Sequence, residues 1–190
     1  MVTADAYTDL ALDMDEFWVF GYGSLMWNPG FPYEEKAEAL IFGYRRSLCV
    51  FSWVHRGTRT SPGLVLGLDR GGACRGMAFR IAESDREEVL AYLRERELVT
   101  NVYLERTLPI RLSDGRRVTA IAYVVDRSHR QYAGSLDPVA AAHIVNSAQG
   151  QSGSNDSYVF NTLQHLREME IRDHWLEHVT REIEHMRRAS

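Results

Sequence analysis

Cysteine is nearly absent from this chain, and the two that occur, Cys49 and Cys74, lie in apolar stretches with strand character. Two thiols cannot frame a disulfide scaffold, and in such surroundings they read as small buried hydrophobes. A cysteine nucleophile needs a basic partner and an accessible loop, and neither position offers both. Long apolar runs are missing too: nothing approaches the ~20 consecutive apolar residues that a membrane span needs. Charge of one sign is not in excess. The 22 basic and 26 acidic residues leave a net charge of -4, which gives no electrostatic footprint for nucleic acid and no polybasic membrane-binding surface. Metal signatures are lacking as well, with no C-x-x-C pair and no H-E-x-x-H. Residues 1–16 are mildly acidic, without the basic start and apolar run of a signal peptide. They read as a flexible leader on a cytoplasmic protein, ahead of a single domain over 17–190 that no repeat or linker divides.

What is present suffices for a packed core, since 45% of the 190 residues are hydrophobic. Phe17 to Phe20 form an apolar run that reads as a strand entering a tight turn at Gly21-Tyr22-Gly23-Ser24. Asn28-Pro29-Gly30 and Phe31-Pro32 mark a loop. Strand-like material fills Ala39 to Val54, followed by a polar, glycine-rich link over 56–63. Two further strands are expected at Leu64 to Leu68 and Cys74 to Ile81, with Gly71-Gly72 as the hairpin turn between them. Ser84 and Glu87 have capping-box spacing, and Val89, Leu90 and Leu93 form an apolar stripe, so a helix is predicted that ends near Glu97. Val102 to Leu112 and Val118 to Val125 read as a hairpin around Ser113-Asp114-Gly115. Asp137 before Pro138 signals a helix start, with Gly150 as the C-cap. A helix near Tyr158 to Arg167 follows, and a last one carries Trp175, Val179, Ile183 and Met186 along one face. Hairpins first and helices later make the fold class α+β.

Four features carry possible chemistry. In Phe20-Gly21-Tyr22-Gly23-Ser24-Leu25 the glycines let backbone come close to a ligand, and turn amides can form an anion-binding nest. An ordinary strand-ending turn fits the same residues. Neither a dinucleotide fingerprint nor a nucleophile elbow fits, because Met26 stands where each needs glycine. By spacing alone, Ala91 to Glu97 is a solvated run of charge pairs. The position of Glu97 at the helix end, beside apolar Leu98-Val99, supports a second possibility: a partly buried carboxyl with a raised pKa, suited to proton transfer. His174, His178 and His185 share one side of the last helix and read as its polar flank rather than a metal site. Arg56 and Arg59 sit in the glycine-rich link, either as exposed loop residues or as holders of a substrate carboxylate.

Together these segments resemble the ChaC-type glutathione-specific γ-glutamylcyclotransferases, especially their bacterial branch. The resemblance rests on Val19-Phe20-Gly21-Tyr22-Gly23-Ser24-Leu25-Met26-Trp27-Asn28-Pro29, then Arg56-Gly57, Pro62-Gly63, Gly76 to Arg80, Arg96-Glu97-Leu98-Val99-Thr100 with Tyr103, and finally Asn146, Gly150, Gly153, Asn155 and Tyr158-Val159-Phe160. It implies a γ-glutamylcyclotransferase-like fold, a small mixed β-barrel with surrounding helices. It implies that glutathione is converted to 5-oxoproline and Cys-Gly by internal aminolysis, with Glu97 as general acid/base; Glu95, two residues off the pattern, takes no role. Residues 19–25 are expected to hold the γ-glutamyl group. Tyr103, Tyr123 and Tyr158 are expected to line the pocket, and Arg56 to meet a carboxylate. No metal, nucleotide or other cofactor is called for. Two alternatives stay open: a cyclotransferase for other γ-glutamyl peptides or amines, and a non-catalytic γ-glutamyl-binding regulator. Oligomeric state is not legible.

Overall fold

The computed structural model describes residues 13–98 and 100–189, and its centre is a closed five-stranded barrel. The strands are β1 (Asp13–Gly21), β2 (Glu35–Ser52), β3 (Gly63–Ile81), β4 (Tyr103–Leu112) and β5 (Arg117–Val125), ordered β1-β3-β2-β4-β5. Every pairing is antiparallel except β1 with β5, which is parallel, so the barrel is mixed. Trp18, Val19 and Phe20 are all fully buried. Successive strand side chains point to opposite faces, so both faces of β1 are covered. The expected leader lies outside the described residues up to residue 12, while residues 13–16 already belong to β1.

β3 runs unbroken through Gly71-Gly72, which corrects the expected hairpin there. Phe42 pairs with Ala73 and Tyr44 with Arg70, so Gly43 stands opposite both glycines. All three have positive φ (81°, 105° and 72°). Glycine supplies that conformation to a bulge as readily as to a turn, and here it bends two long paired strands. The β4–β5 hairpin turns at 113–116, where Gly115 has φ 95°.

Helix α1 (Arg86–Glu97) ends where the spacing indicated. Its start differs: a 3₁₀ turn over Glu83–Asp85 precedes it, Asp85 is the N-cap, and no side chain caps it, so the Ser84–Glu87 box does not form. Helix α2 (Pro138–Ser147) is capped as expected, the Asp137 carboxylate accepting from the Ala140 N–H at 2.8 Å. Gly150 is not its cap. The chain becomes extended at Ala148, because β6 (Gln149–Gly150) pairs with β7 (Gly153–Ser154). Helix α3 (Asn155–Glu168) starts three residues before the expected Tyr158. In α4 (His174–Ala189) the predicted stripe is present, with Val179 and Ile183 buried and Trp175 and Met186 packed against the core. Helices α2, α3 and α4 pack on one another, and α2 and α3 also lie against β3. No helix among the described residues is long and apolar enough to cross a membrane.

Asn155 fastens α3 to the barrel. Fully buried, it accepts from the Leu64 N–H through Oδ1 (2.7 Å) and donates to the Leu64 carbonyl through Nδ2 (2.8 Å), as a neighbouring strand would. Asn155→Ala strips partners from two buried backbone groups, an expected loss on the order of 2–4 kcal/mol. Denaturant titration reads this as a lower midpoint at unchanged slope; an unchanged midpoint would show that Leu64 is satisfied without Asn155.

Candidate active site

The chain leaving β1 doubles back within a few residues. The Gly23 carbonyl accepts from the Met26 N–H (2.9 Å), and the Ser24 carbonyl from the N–H groups of Trp27 (3.3 Å) and Asn28 (2.8 Å). A Cβ at Gly21 would lie 2.9 Å from the Leu25 Cβ, and one at Gly76 would lie 2.3 Å from the Gly21 carbonyl oxygen. Only glycine permits these two approaches. Ser24–Met26 forms a single 3₁₀ turn, whose first N–H groups have no intrahelical acceptor and remain available to a ligand.

Two arginines fix this turn. Arg46, buried on β2, donates through Nε to the Tyr22 carbonyl (2.6 Å) and through Nη2 to the Arg75 carbonyl (2.7 Å), and it pairs with Asp173 at 3.4 Å. Arg96, in the last turn of α1, donates to Ser24 Oγ (2.9 Å), the Asn28 and Pro29 carbonyls (2.9 and 3.1 Å) and Tyr92 Oη (3.0 Å). The end of α1 is thereby stapled over the turn. Neither role was legible in the sequence, since each depends on which distant carbonyls the barrel brings near.

A cavity of about 110 Å³ lies against this turn. The turn contributes Tyr22, Gly23, Ser24 and Leu25, α1 contributes Glu97, and β4, β5 and α3 contribute Tyr103, Tyr123 and Tyr158. Val65 and Leu66 of β3 complete the lining; as apolar strand residues they carried no chemical signal in the sequence. Four expected binding residues do not line it. Val19 and Phe20 are sealed in the core, Gly21 serves the fold-back, and Arg56 packs on the Tyr158 ring without reaching the cavity lining. The Arg56 guanidinium is 5.3 Å from the Tyr158 ring centroid and is spent on the Ser152 carbonyl at 2.7 Å.

The tyrosines differ in what they can still offer. Tyr103 donates to the Leu66 carbonyl (2.6 Å), and Tyr123 donates to Glu105 (3.0 Å). Tyr158 accepts from the Leu66 N–H (3.1 Å) and keeps a proton to give, while the Tyr22 hydroxyl has no hydrogen-bond partner among the described residues. Burial, augmented by the charge of Glu97, pushes all four phenols above their ordinary range. They remain neutral donors at any physiological pH.

Two nearby carboxyl groups are pushed in opposite directions. Burial raises the pKa of Glu97 despite Arg96 Nε at 3.4 Å. Glu105 is lowered by its paired hydrogen bonds to Arg94, at 2.8 and 2.9 Å. Such a split assigns proton exchange to the raised group and a fixed negative charge to the other. Glu95 is exposed. The two thiols are buried and burial raises both, Cys49 to about 12, which disfavours either as a nucleophile. His174 and His178 pair with Glu177 and Glu182 on α4, away from this cavity.

Because Glu97 has a folded pKa above its unfolded one, wild type loses stability as pH rises through that interval. Glu97→Gln carries no such cost. The variant should therefore melt above wild type at pH 7, and the gap should shrink as pH falls toward ~4.3 and vanish below it, where both side chains are neutral. Thermal melts across pH test this; a gap that does not change with pH would mean the carboxyl is solvated.

The chain matches the family model described as ChaC-like protein over residues 17–186. It is 35% identical over 161 residues to the glutathione-specific γ-glutamylcyclotransferase of Escherichia coli (strain K12), covering 85% of this chain and 70% of that one. It is also 35% identical over 173 residues to the protein of the same name in Schizosaccharomyces pombe (strain 972 / ATCC 24843), covering 80% and 83%. A crystal structure of a yeast γ-glutamyl cyclotransferase specific to glutathione matches with TM-score 0.79 at 23% identity, over 91% of this chain and 100% of that one. At that identity the likeness is one of fold, and the fold is the expected mixed barrel with surrounding helices. With a family match over nearly its whole length and relatives above 30% identity, this chain belongs to the ChaC-like family.

Proposed function

We propose that this protein is a glutathione-specific γ-glutamylcyclotransferase, releasing 5-oxoproline and Cys-Gly, with Glu97 as its general acid/base. One observation carries this: a largely buried carboxyl, its side chain 19% exposed and its pKa raised, shares a small cavity with a glycine turn that has free amides. The names of the relatives in E. coli and S. pombe support glutathione as the substrate. The cytoplasm is the expected compartment, where glutathione keeps thiols reduced. One core cluster joins barrel and helices, which supports a single domain over 17–190.

In this account the γ-glutamyl group lies in the cavity with its α-carboxylate on the amides near Ser24 and Leu25. Glu97, ionised, takes a proton from the α-ammonium. The freed amine attacks the γ-carbonyl carbon, and the new C–N bond closes a five-membered ring. Attack is favourable because nucleophile and electrophile are already tethered. Tyr22 and Tyr158 offer hydroxyl protons to the developing oxyanion. The carbon–nitrogen bond to cysteine then breaks, protonated Glu97 returns its proton to the departing amine, and the ring nitrogen gives its second proton to solvent, leaving the neutral lactam. The raised pKa assists the first transfer, since the conjugate base of a weaker acid takes a proton more readily.

Incubation with reduced glutathione should yield 5-oxoproline and cysteinylglycine in equal amounts. Glu97→Gln should lower turnover by ~10²–10⁴-fold without unfolding the protein. Near-wild-type turnover by the folded variant would remove Glu97 from the reaction. Binding of glutathione with no 5-oxoproline released would favour a non-catalytic regulator.

A further inference from the structure

A second, larger cleft of about 600 Å³ adjoins the first, and the two share Val65, Glu97 and Tyr103. Its far side is built differently. Trp53 lies there with two arginines against its ring, the guanidinium carbons of Arg59 and Arg130 at 5.3 and 4.9 Å from its centroid. Arg59 comes from the loop between β2 and β3, and Arg130 from the segment after β5. Neither has a carboxylate partner among the described residues. Arg127, three residues before Arg130, has one: Asp69 at 2.7 Å.

Two like charges gathered on one ring repel each other, and the ring's negative face offsets only part of that. An anion in the cleft would relieve it, and guanidinium groups fit a carboxylate best. The location is set by the reaction. Glu97 must reach the departing nitrogen, so whatever follows the broken bond leaves past Glu97, and this cleft is where Glu97 has its other face. Val50, Phe51 and Val102 give it an apolar wall for the first side chain of the leaving peptide.

We infer that this cleft is the leaving-peptide subsite, and that Arg59 and Arg130, braced on Trp53, hold the peptide's terminal carboxylate. The assignment rests on the cyclotransferase function proposed above. It makes the substrate class γ-glutamyl peptides with a free C-terminus and selects against γ-glutamyl amines.

The test compares glutathione with glutathione carrying a C-terminal amide, following 5-oxoproline. Wild type should prefer the acid by ~10- to 100-fold in kcat/KM, as expected for charge-assisted hydrogen bonds. The folded Arg59→Ala/Arg130→Ala protein should treat acid and amide alike, with its loss on glutathione appearing mainly in KM. Equal use of both substrates by wild type would overturn the assignment while leaving the cyclotransferase function standing, and that comparison needs no variant to fold. A preference retained by the folded double variant would overturn it as well. Release of 5-oxoproline from neither substrate would overturn the function and this subsite together.

Discussion

The site depends on how Arg96 spends its guanidinium. Its hydrogen bonds to Ser24, to the Asn28 and Pro29 carbonyls and to Tyr92 tie the end of α1 to the turn that follows β1. These are charge-assisted bonds from one planar group, which fixes direction as well as distance. The next residue on the helix is rotated by ~100°, so when Arg96 reaches for the turn, Glu97 is carried toward the cavity. Arg46 holds the same turn through the Tyr22 carbonyl. The turn is thus held from β2 as well as from α1.

That arrangement also creates the electrostatic contrast. Arg96 is close enough to pair with Glu97, yet burial outweighs it and the carboxyl is raised. Arg96 shares its donors among several acceptors, so it cannot give Glu97 the bidentate support that Arg94 gives Glu105. Glu105 stays charged and orients Tyr123. Tyr103 and Tyr158 both engage Leu66, which fixes β3 as one wall. Among the described residues around the cavity, the groups still able to serve a ligand include the carboxyl of Glu97, the hydroxyl protons of Tyr22, Ser24 and Tyr158, and the first amides of the 3₁₀ turn.

Much of this was legible from local pattern. The strand-to-turn step at Gly21, the end of α1 at Glu97, the Asp137-Pro138 helix start and the α4 stripe each follow from a few neighbouring residues, and each is present. The failures share a cause. Gly71-Gly72 reads as a hairpin turn because positive φ is all that sequence signals; that Gly43 faces the pair across a bulge is a property of pairing. Arg56 has the right chemistry for a carboxylate, but its partners, Ser152 and Tyr158, are about a hundred residues away. Val19 and Phe20 adjoin the turn in sequence yet point into the core. The separation of Glu97 from an ordinary charge run is likewise tertiary, since only the packed turn and tyrosines bury it.

The central claim is spatial: one carboxyl group must reach the amino nitrogen of a γ-glutamyl group held by the glycine turn. The crystal structure of the Glu97→Gln protein with glutathione bound measures this directly. The account predicts the side-chain amide of residue 97 within ~3.2 Å of the α-amino nitrogen, with the α-carboxylate on the amides near Ser24 and Leu25. Glutathione bound elsewhere, or bound there with its amino group turned away from residue 97, would contradict it.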